Sequence, residues 1–337
     1  MDEFQKQLAA AQALLSEKHS FLLTTHLNPD GDALGSELAL ARFLSSIGRD
    51  VIIINHDATP SMYTFLDPAG HIRQYESTRD NALIARVDVI CIIDGNQLGR
   101  VGSLEPHVRA SRAKKICIDH HLDPEPFADI YLFDDRAASA GQIVYQLIRS
   151  VHRGSLPKAI AEPLYVAIMT DTGSFRFPKT DGDLHRIVAD LIDGGADPVT
   201  LYQSVYERQT PNRLLLLGRI LSQLQTAHNG TVALLTVTRK MFEETNTIEA
   251  DTDNFINHTL TIAGVQIGLM VTELEGFVKI SFRSKGDISI NELAKEFGGN
   301  GHKNAAGARV ANATIDEIVP EILARAEHYI IQQASKQ

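Results

Sequence analysis

Cysteine is scarce in this chain: two occur in 337 residues, Cys91 and Cys117. Each lies in an apolar, β-branched segment, so both are expected as buried thiols of a reduced cytoplasm, with metal ligation or a disulfide as the lesser alternatives. Long apolar runs are missing. No stretch approaches the roughly 18 residues that read as a membrane span, and runs such as Val51–Asn55 and Val89–Ile93 are strand-sized. The N-terminus lacks a basic start followed by an apolar block. Residues Met1 to Lys18 read instead as an amphipathic helix, which argues against a secretory signal. A cytoplasmic protein without a membrane partner is the expectation. There is no internal repeat and no low-complexity tract. There is also no excess of positive charge: the formal net charge is −10, which does not suit long duplex DNA, a partner that needs a broad basic face.

What is present fits a soluble globular chain, 44% hydrophobic and 22% charged, with room for two domains. Charge is nonetheless patchy. Lys279–Arg309 carries six basic residues against three acids, a local +3 suited to a small anionic ligand. From Phe21 to Thr172, short β-rich runs (Phe21–Thr25, Val51–Asn55, Val87–Ile93, Lys115–Ile118) alternate with helical patterns (Ala33–Ile47, Ser139–Val151, Lys158–Met169). The strands are apolar throughout. Both features predict an α/β fold with a parallel sheet covered on both faces. Ser139 and Gln142 predict a capping box. Asp183–Gly194 and Pro198–Ser222 read as helical. Beyond about residue 229 the pattern changes to strands at Thr231–Val237, Val265–Thr272 and Phe277–Arg283, with helices near Ser289–Phe297 and Ile315–Gln332. The expected organisation is a parallel-sheet domain over 1–195, a helical connector over 196–228 and a smaller α+β domain over 229–337.

Chemistry concentrates at the ends of the apolar runs. Thr25-His26-Leu27-Asn28-Pro29-Asp30-Gly31-Asp32 places one imidazole and two carboxylates directly after a strand, where open α/β sheets bind ligands. Pro29 and Gly31 enforce a sharp loop, so Asp30 and Asp32 can point to two metals. Asp94 ends the run Val89–Ile93 and suits a bridging carboxylate. Asp119-His120-His121 ends the next run. Alternation along a strand predicts that the two imidazoles face opposite ways, one toward metal and one toward substrate phosphate. Asp119 suits a partner that orients an imidazole. Asp171 follows an apolar helical run and precedes Gly173. Hard oxygen ligands mixed with imidazole favour manganese, with magnesium or cobalt as alternatives. Two such ions imply phosphoester hydrolysis. In the later segment, Gly298, Gly299 and Gly301 allow backbone N–H groups to approach an anion, with His302 and Lys303 as added donors.

This set resembles the DHH phosphoesterase superfamily, named for Asp119-His120-His121. The run Phe297-Gly298-Gly299-Asn300-Gly301-His302-Lys303-Asn304-Ala305-Ala306-Gly307, with Arg283-Ser284 upstream, resembles its DHH-associated domain. Asn300 departs from the glycine common there. Length and layout look most like the bacterial nanoRNases that also act as pAp phosphatases. The resemblance implies two Mn2+ ions, one held by His26, Asp30 and Asp94, the other by Asp32, Asp94, His120 and Asp171. It implies that His121 contacts the scissile phosphate, and that Arg283 and His302 grip the substrate across an interdomain cleft. Arg283, Ser284, Gly299, Gly301, His302 and Lys303 are the expected substrate contacts; Asp94, Asp119 and His121 are the catalytic set. Expected substrates are short RNA oligonucleotides of two to five residues, and pAp.

Rival readings share much of this chemistry. A cyclic- or linear-dinucleotide phosphodiesterase would differ in its substrate pocket. An inorganic pyrophosphatase or polyphosphatase is disfavoured by the glycine–histidine loop and Arg283. A catalytically silent nucleotide-binding protein is disfavoured by the complete ligand set, and a RecJ-type exonuclease by the missing nucleic-acid-binding domain. An exposed edge strand or the N-terminal helix offers a route to a homodimer.

Overall fold

The computed structural model describes residues 3–334, apart from the side chains at 302 and 331–334. Met1 and Asp2, expected to begin the first helix, lie outside the described residues. The chain divides into two compact units, Met1–Arg208 and Gln209–Gln337. None of the described helices is long and apolar enough to cross a membrane.

The first unit runs α1 (Glu3–Glu17), β1 (Ser20–Thr25), α2 (Gly31–Ser46), β2 (Asp50–Asn55), β3 (Ile72–Gln74), α3 (Ser77–Ile84), β4 (Val89–Ile93), α4 (Glu105–Ala110), β5 (Lys114–Asp119), β6 (Ile130–Phe133), α5 (Ala140–Val151), α6 (Lys158–Asp171), α7 (Gly182–Asp193) and α8 (Pro198–Tyr206). Its strands form one parallel sheet in the order β3-β2-β1-β4-β5-β6. Every residue of β4 is buried, as a parallel sheet covered on both faces requires. Strand order reverses between β1 and β4. Their connections leave in opposite directions and open a crevice at the C-terminal ends.

Three helices bring ligand-bearing backbone to that crevice. α2 is buried almost all round and packs on α5 and α6. Small residues permit the approach: a Cβ on Gly35 would lie 2.3 Å from the carbonyl oxygen of Pro163. Pro163 lies inside α6 and has no N–H for the carbonyl of Ala159. Arg42 of α2 repairs this by donating to that carbonyl at 2.8 Å, and it donates to Leu66 O at 2.7 Å. The α2–α6 contact therefore has both an apolar and a polar component.

α1 closes the β6 edge of the sheet. Ala11 and Leu15 are buried, Phe4, Leu8 and Leu14 pack on the core, and Gln7 Oε1 accepts from the backbone N–H of Tyr131 at 3.3 Å. Its apolar stripe is used inside the unit.

The second unit runs α9 (Pro211–Leu221), β7 (Gln225–Ala227), β8 (Val232–Val237), α10 (Arg239–Thr245), α11 (Asn257–Leu260), β9 (Ile267–Leu274), β10 (Phe277–Ser284), α12 (Ile290–Glu296), β11 (Asn300–His302), β12 (Ala305–Ala311) and α13 (Ile315–Ala334). The mixed sheet has the order β11-β12-β10-β9-β8-β7, with only β8 and β9 parallel. Along β10 burial alternates strictly. Val278, Ile280 and Phe282 enter a core with Leu293 of α12 and Ile322 of α13. On the opposite face, Met270 of β9 is covered by a second cluster containing Leu216, Phe255 and Ile256.

Three expectations need correction. The segment 196–228 is not a separate connector: Leu201 and Val205 of α8 join the first core, while Leu216 and Ile220 of α9 join a core of the second unit. Pro198–Ser222 is two helices, the second restarted by Thr210, whose side chain caps Arg213 N–H. The capping box at α5 is shifted. Ser139 accepts from Gln142 N–H, but Gln142 Oε1 takes the N–H of Ala138, not of Ser139.

Candidate metal centre

The crevice gathers three overlapping sets of ligand atoms: His26, Asp30 and Asp94; Asp32, His120 and Asp171; and Asp94, Asp119, His120 and His121. Within each set the atoms lie within 4.8 Å of one another. Each arrives at the end of an element. His26 follows β1, Asp94 follows β4, Asp119 ends β5, Asp30 caps α2, Asp32 lies in its first turn, and Asp171 ends α6.

Asp94 is the hub. One carboxylate oxygen, Oδ2, stands 3.3 Å from His26 Nε2; the other, Oδ1, stands 3.6 Å from His120 Nε2 and 3.5 Å from His121 Nδ1. Its backbone is left-handed, with φ 58°, a conformation uncommon outside glycine, though aspartate adopts it more readily than most residues. The N–H of Asp94 donates to Ile118 O at 2.9 Å, which ties the β4 loop to β5. Strain of this kind persists where surrounding structure enforces it.

The expectation that His120 and His121 face opposite ways is not met. β5 ends at Asp119, so the two histidines lie beyond the reach of strand alternation. Their rings lie 4.4 Å apart between centroids, and both approach Asp94. They differ in their partners. His121 Nδ1 is 2.7 Å from Asp119 Oδ1. His120 presents Nδ1 to Ala137 O at 3.3 Å and Nε2 to Asp32, Asp94 and Asp171 at 3.7, 3.6 and 3.4 Å.

Asp32 is held from behind. Its oxygens accept the N–H groups of Ala140 and Gly141 at 2.6 and 2.8 Å, at the start of α5, where a helix favours negative charge. Asp30 accepts from Asp32 and Ala33 N–H through one oxygen only.

The charge balance calls for a cation. His26 Nδ1 sits 2.7 Å from the carbonyl oxygen of Leu27 and donates there, so in a neutral ring Nε2 would turn a lone pair toward the Asp94 carboxylate. His120 Nε2 and Asp94 Oδ1 are buried without a hydrogen-bond partner. Such orphaned atoms are costly unless something binds them. Without metal, protons do part of this work. Burial opposes charge on His26, yet Asp94 raises it to about 9; burial opposes charge on His120, yet Asp94 and Asp171 raise it to about 10. Burial also works against ionising Asp94, but the imidazoles prevail and hold it well below the usual carboxylate range. Burial, with Asp94 and Asp171 beside it, pushes Asp32 well up. Desolvation, opposed by His120, pushes Asp171 up to about 7. The donor set fits divalent metal, and metal uptake would release these protons.

The expected substrate residues lie in the second unit and divide between two faces. Arg283 is on the half-exposed face of β10. Ser284 is buried on the other, where its hydroxyl donates to Ile288 O at 2.7 Å and accepts from Asn304 Nδ2 at 2.9 Å. It braces the loop rather than facing a ligand. The glycine run also serves a different end from the expected anion cradle. Gly298 and Gly299 N–H groups cap α12 through Lys295 O and Ala294 O, and Gly301 N–H goes to Asn300 Oδ1. A Cβ at Gly299 would lie 2.2 Å from Gly307 O, and one at Gly301 2.4 Å from Ala306 Cα. These glycines let β11 approach β12. Lys303 pairs with Asp287 at 2.8 Å. The side chain of His302 lies outside the described residues.

Comparison with known proteins decides the family. The model of the DHH family, N-terminal domain, matches residues 20–168, and that of the DHHA1 domain matches 229–332. The crystal structure of an exopolyphosphatase-related protein from Bacteroides fragilis superposes with a TM-score of 0.93 at 31% identity, covering 98% of both chains. This chain belongs to the DHH family. A bifunctional oligoribonuclease and PAP phosphatase of Thermus thermophilus is 28% identical over 95% of this chain and 93% of its own length. A cyclic-di-AMP phosphodiesterase of Listeria monocytogenes is 23% identical over 95% of this chain, but this chain spans only 49% of that relative.

The DHH-domain crevice also contains residues to which the sequence alone does not point. Asn96 is buried, and its Nδ2 donates to the carbonyls of His121 and Leu122, the latter at 3.1 Å. It pins the loop that carries the two histidines. Its place two residues after Asp94 is the one signal available. Behind His26, Asn55 Oδ1 accepts from Thr25 N–H at 3.2 Å, and its Nδ2 donates to buried Glu37 at 2.8 Å. In the sequence Glu37 is one acid within a helix; only burial singles it out.

Proposed function

We propose that this chain is a two-metal, manganese-dependent phosphoesterase that hydrolyses short oligoribonucleotides to mononucleotides and removes the 3′-phosphate of pAp to give AMP. The observation that carries the reading is Asp94, whose two oxygens face separate imidazole–carboxylate groups as a bridging ligand would. His26, Asp30 and Asp94 would hold one ion; Asp32, Asp94, His120 and Asp171 would hold the other. When bound, the ions supply Lewis-acid polarisation of the phosphoryl group and an acidified water. Asp119 fixes the ring of His121 through Nδ1, and His121 is assigned to the scissile phosphate. Asn96 holds the same loop in place, while the α5 terminus orients Asp32 and limits its freedom to relax. Arg283 and Lys303 are assigned to binding the substrate's other phosphates.

The substrate assignment draws on the Thermus relative, which matches nearly end to end. The cyclic-di-AMP phosphodiesterase relative is less similar and about twice as long. The test is metal-stripped protein with manganese, magnesium or cobalt added back separately. It is offered a 5′-phosphorylated RNA dinucleotide, a long RNA, pAp and cyclic di-AMP. Fast cleavage of the dinucleotide and pAp, best with manganese and slow on the other two, is expected. Preference for cyclic di-AMP would move the protein to second-messenger turnover. No turnover of any of the four would contradict the proposal.

A further inference from the structure

The half-exposed face of β10 is more than a mount for Arg283. Phe277, Lys279, Ser281 and Arg283 all point to that side. The register with β12 places Arg309 directly opposite Lys279, Gly307 opposite Ser281 and Ala305 opposite Arg283. Directly opposed residues share a face of a sheet. Two cations therefore stand side by side near one end and a third near the other, across a floor of small residues. Same-face neighbours along a strand are about 6.7 Å apart, a step comparable with that between phosphates of an extended single strand. The guanidinium of Arg309 lies 5.1 Å from the centroid of the Phe277 ring, and its side chain is 67% exposed. It offers a planar cationic surface on which a base can stack.

The acids on this face are counterions to the strip. Glu249 accepts from Lys279 at 2.7 Å and lies 3.9 Å from Arg309. Asp253 interacts with Lys279, Arg213 and Arg283. The three strip cations outnumber Glu249 and Asp253 by one, and one carboxylate serves both Lys279 and Arg309.

We propose that the half-exposed face of β10, with the exposed face of β12 beside it, is a phosphate-tracking strip, on which Lys279 and Arg309 contact phosphates of an oligonucleotide beyond the one held by Arg283, displacing Glu249. The strip makes affinity depend on substrate length. This inference rests on the oligonucleotide reading above.

The test compares wild type with Lys279→Met, Arg309→Met and Glu249→Gln. Methionine keeps the apolar stem that packs on the sheet. Two quantities are measured: kcat/KM for a 5′-phosphorylated diribonucleotide and pentaribonucleotide, and binding of a fluorescein-labelled, cleavage-resistant phosphorothioate pentanucleotide at several salt concentrations. In each methionine variant the pentanucleotide-to-dinucleotide ratio of kcat/KM is expected to fall about tenfold, as removal of one well-made phosphate interaction implies. The salt slope should flatten by about 0.7 for each phosphate no longer neutralised. Glu249→Gln should tighten pentanucleotide binding several-fold. A purely structural ion pair predicts instead that all three variants weaken binding alike, and that result, or an unchanged length ratio, overturns the strip. If wild type cleaves neither oligonucleotide, the oligoribonuclease reading fails. The binding assay still judges the strip, which is overturned if the variants bind the pentanucleotide as wild type does.

Discussion

Glu37 shows what burial does to a single residue here. It is fully buried on α2, with Oε2 bonded to Asn55 and Oε1 without a partner. Burial, against the pull of Asn55 and His26, raises it from 4.5 to about 8. The folded protein thus retains a proton that the unfolded chain releases. Stability from this group is greatest below about pH 4.5 and is lost as pH rises toward 8. Glu37→Gln removes that loss. Urea unfolding of the metal-free protein should show the variant gaining a few kcal/mol on wild type between pH 5 and pH 8, at about 1.4 kcal/mol per pKa unit. A difference that is constant with pH would contradict a buried, neutral Glu37. The carboxylates and imidazoles that gather in the crevice stood out in the sequence because each follows an apolar run, a place where packing has no use for it. Glu37 and Asn96 carry no such mark. Ser284 and Gly299 carried a mark that read as ligand contact, but Ser284 Oγ is spent on Ile288 O and Gly299 is pressed against Gly307.

Among elements, the α2–α6 contact decides whether the crevice forms. Asp32 begins α2 and Asp171 ends α6, so the separation of these helices sets the separation of the two carboxylates. Gly35→Ala places a methyl 2.3 Å from a backbone oxygen that cannot swing aside. Overpacking of this kind costs about 1–3 kcal/mol. Denaturant unfolding should register that loss, and manganese affinity should fall with it; unchanged stability would mean the helices part without cost. The long apolar strands β1, β2, β4 and β5 were evident from composition, as were α5 and α6. The short edge strands β3 and β6 were not, because three or four residues give too little period to recognise. β12, Ala-Ala-Gly-Ala-Arg-Val-Ala, escaped for a different reason. Its alanines and glycine are poor strand formers, and they are there because β11 must lie close. Propensity gave way to packing, and the run drew no strand assignment from the sequence.

At the scale of the whole molecule, a net charge of −10 coexists with a function assigned to polyanions. The acids gathered in the DHH crevice are assigned here to cations, and in the DHHA1 unit Lys279, Arg283 and Arg309 share one sheet face. The central claim is that the crevice holds two ions joined by Asp94. Crystals grown with manganese and measured at its absorption edge test this most directly. Two anomalous peaks are expected, one beside His26 and Asp30 and one beside Asp32, His120 and Asp171, with Asp94 touching both. A single peak, or two peaks that do not share Asp94, would contradict the account.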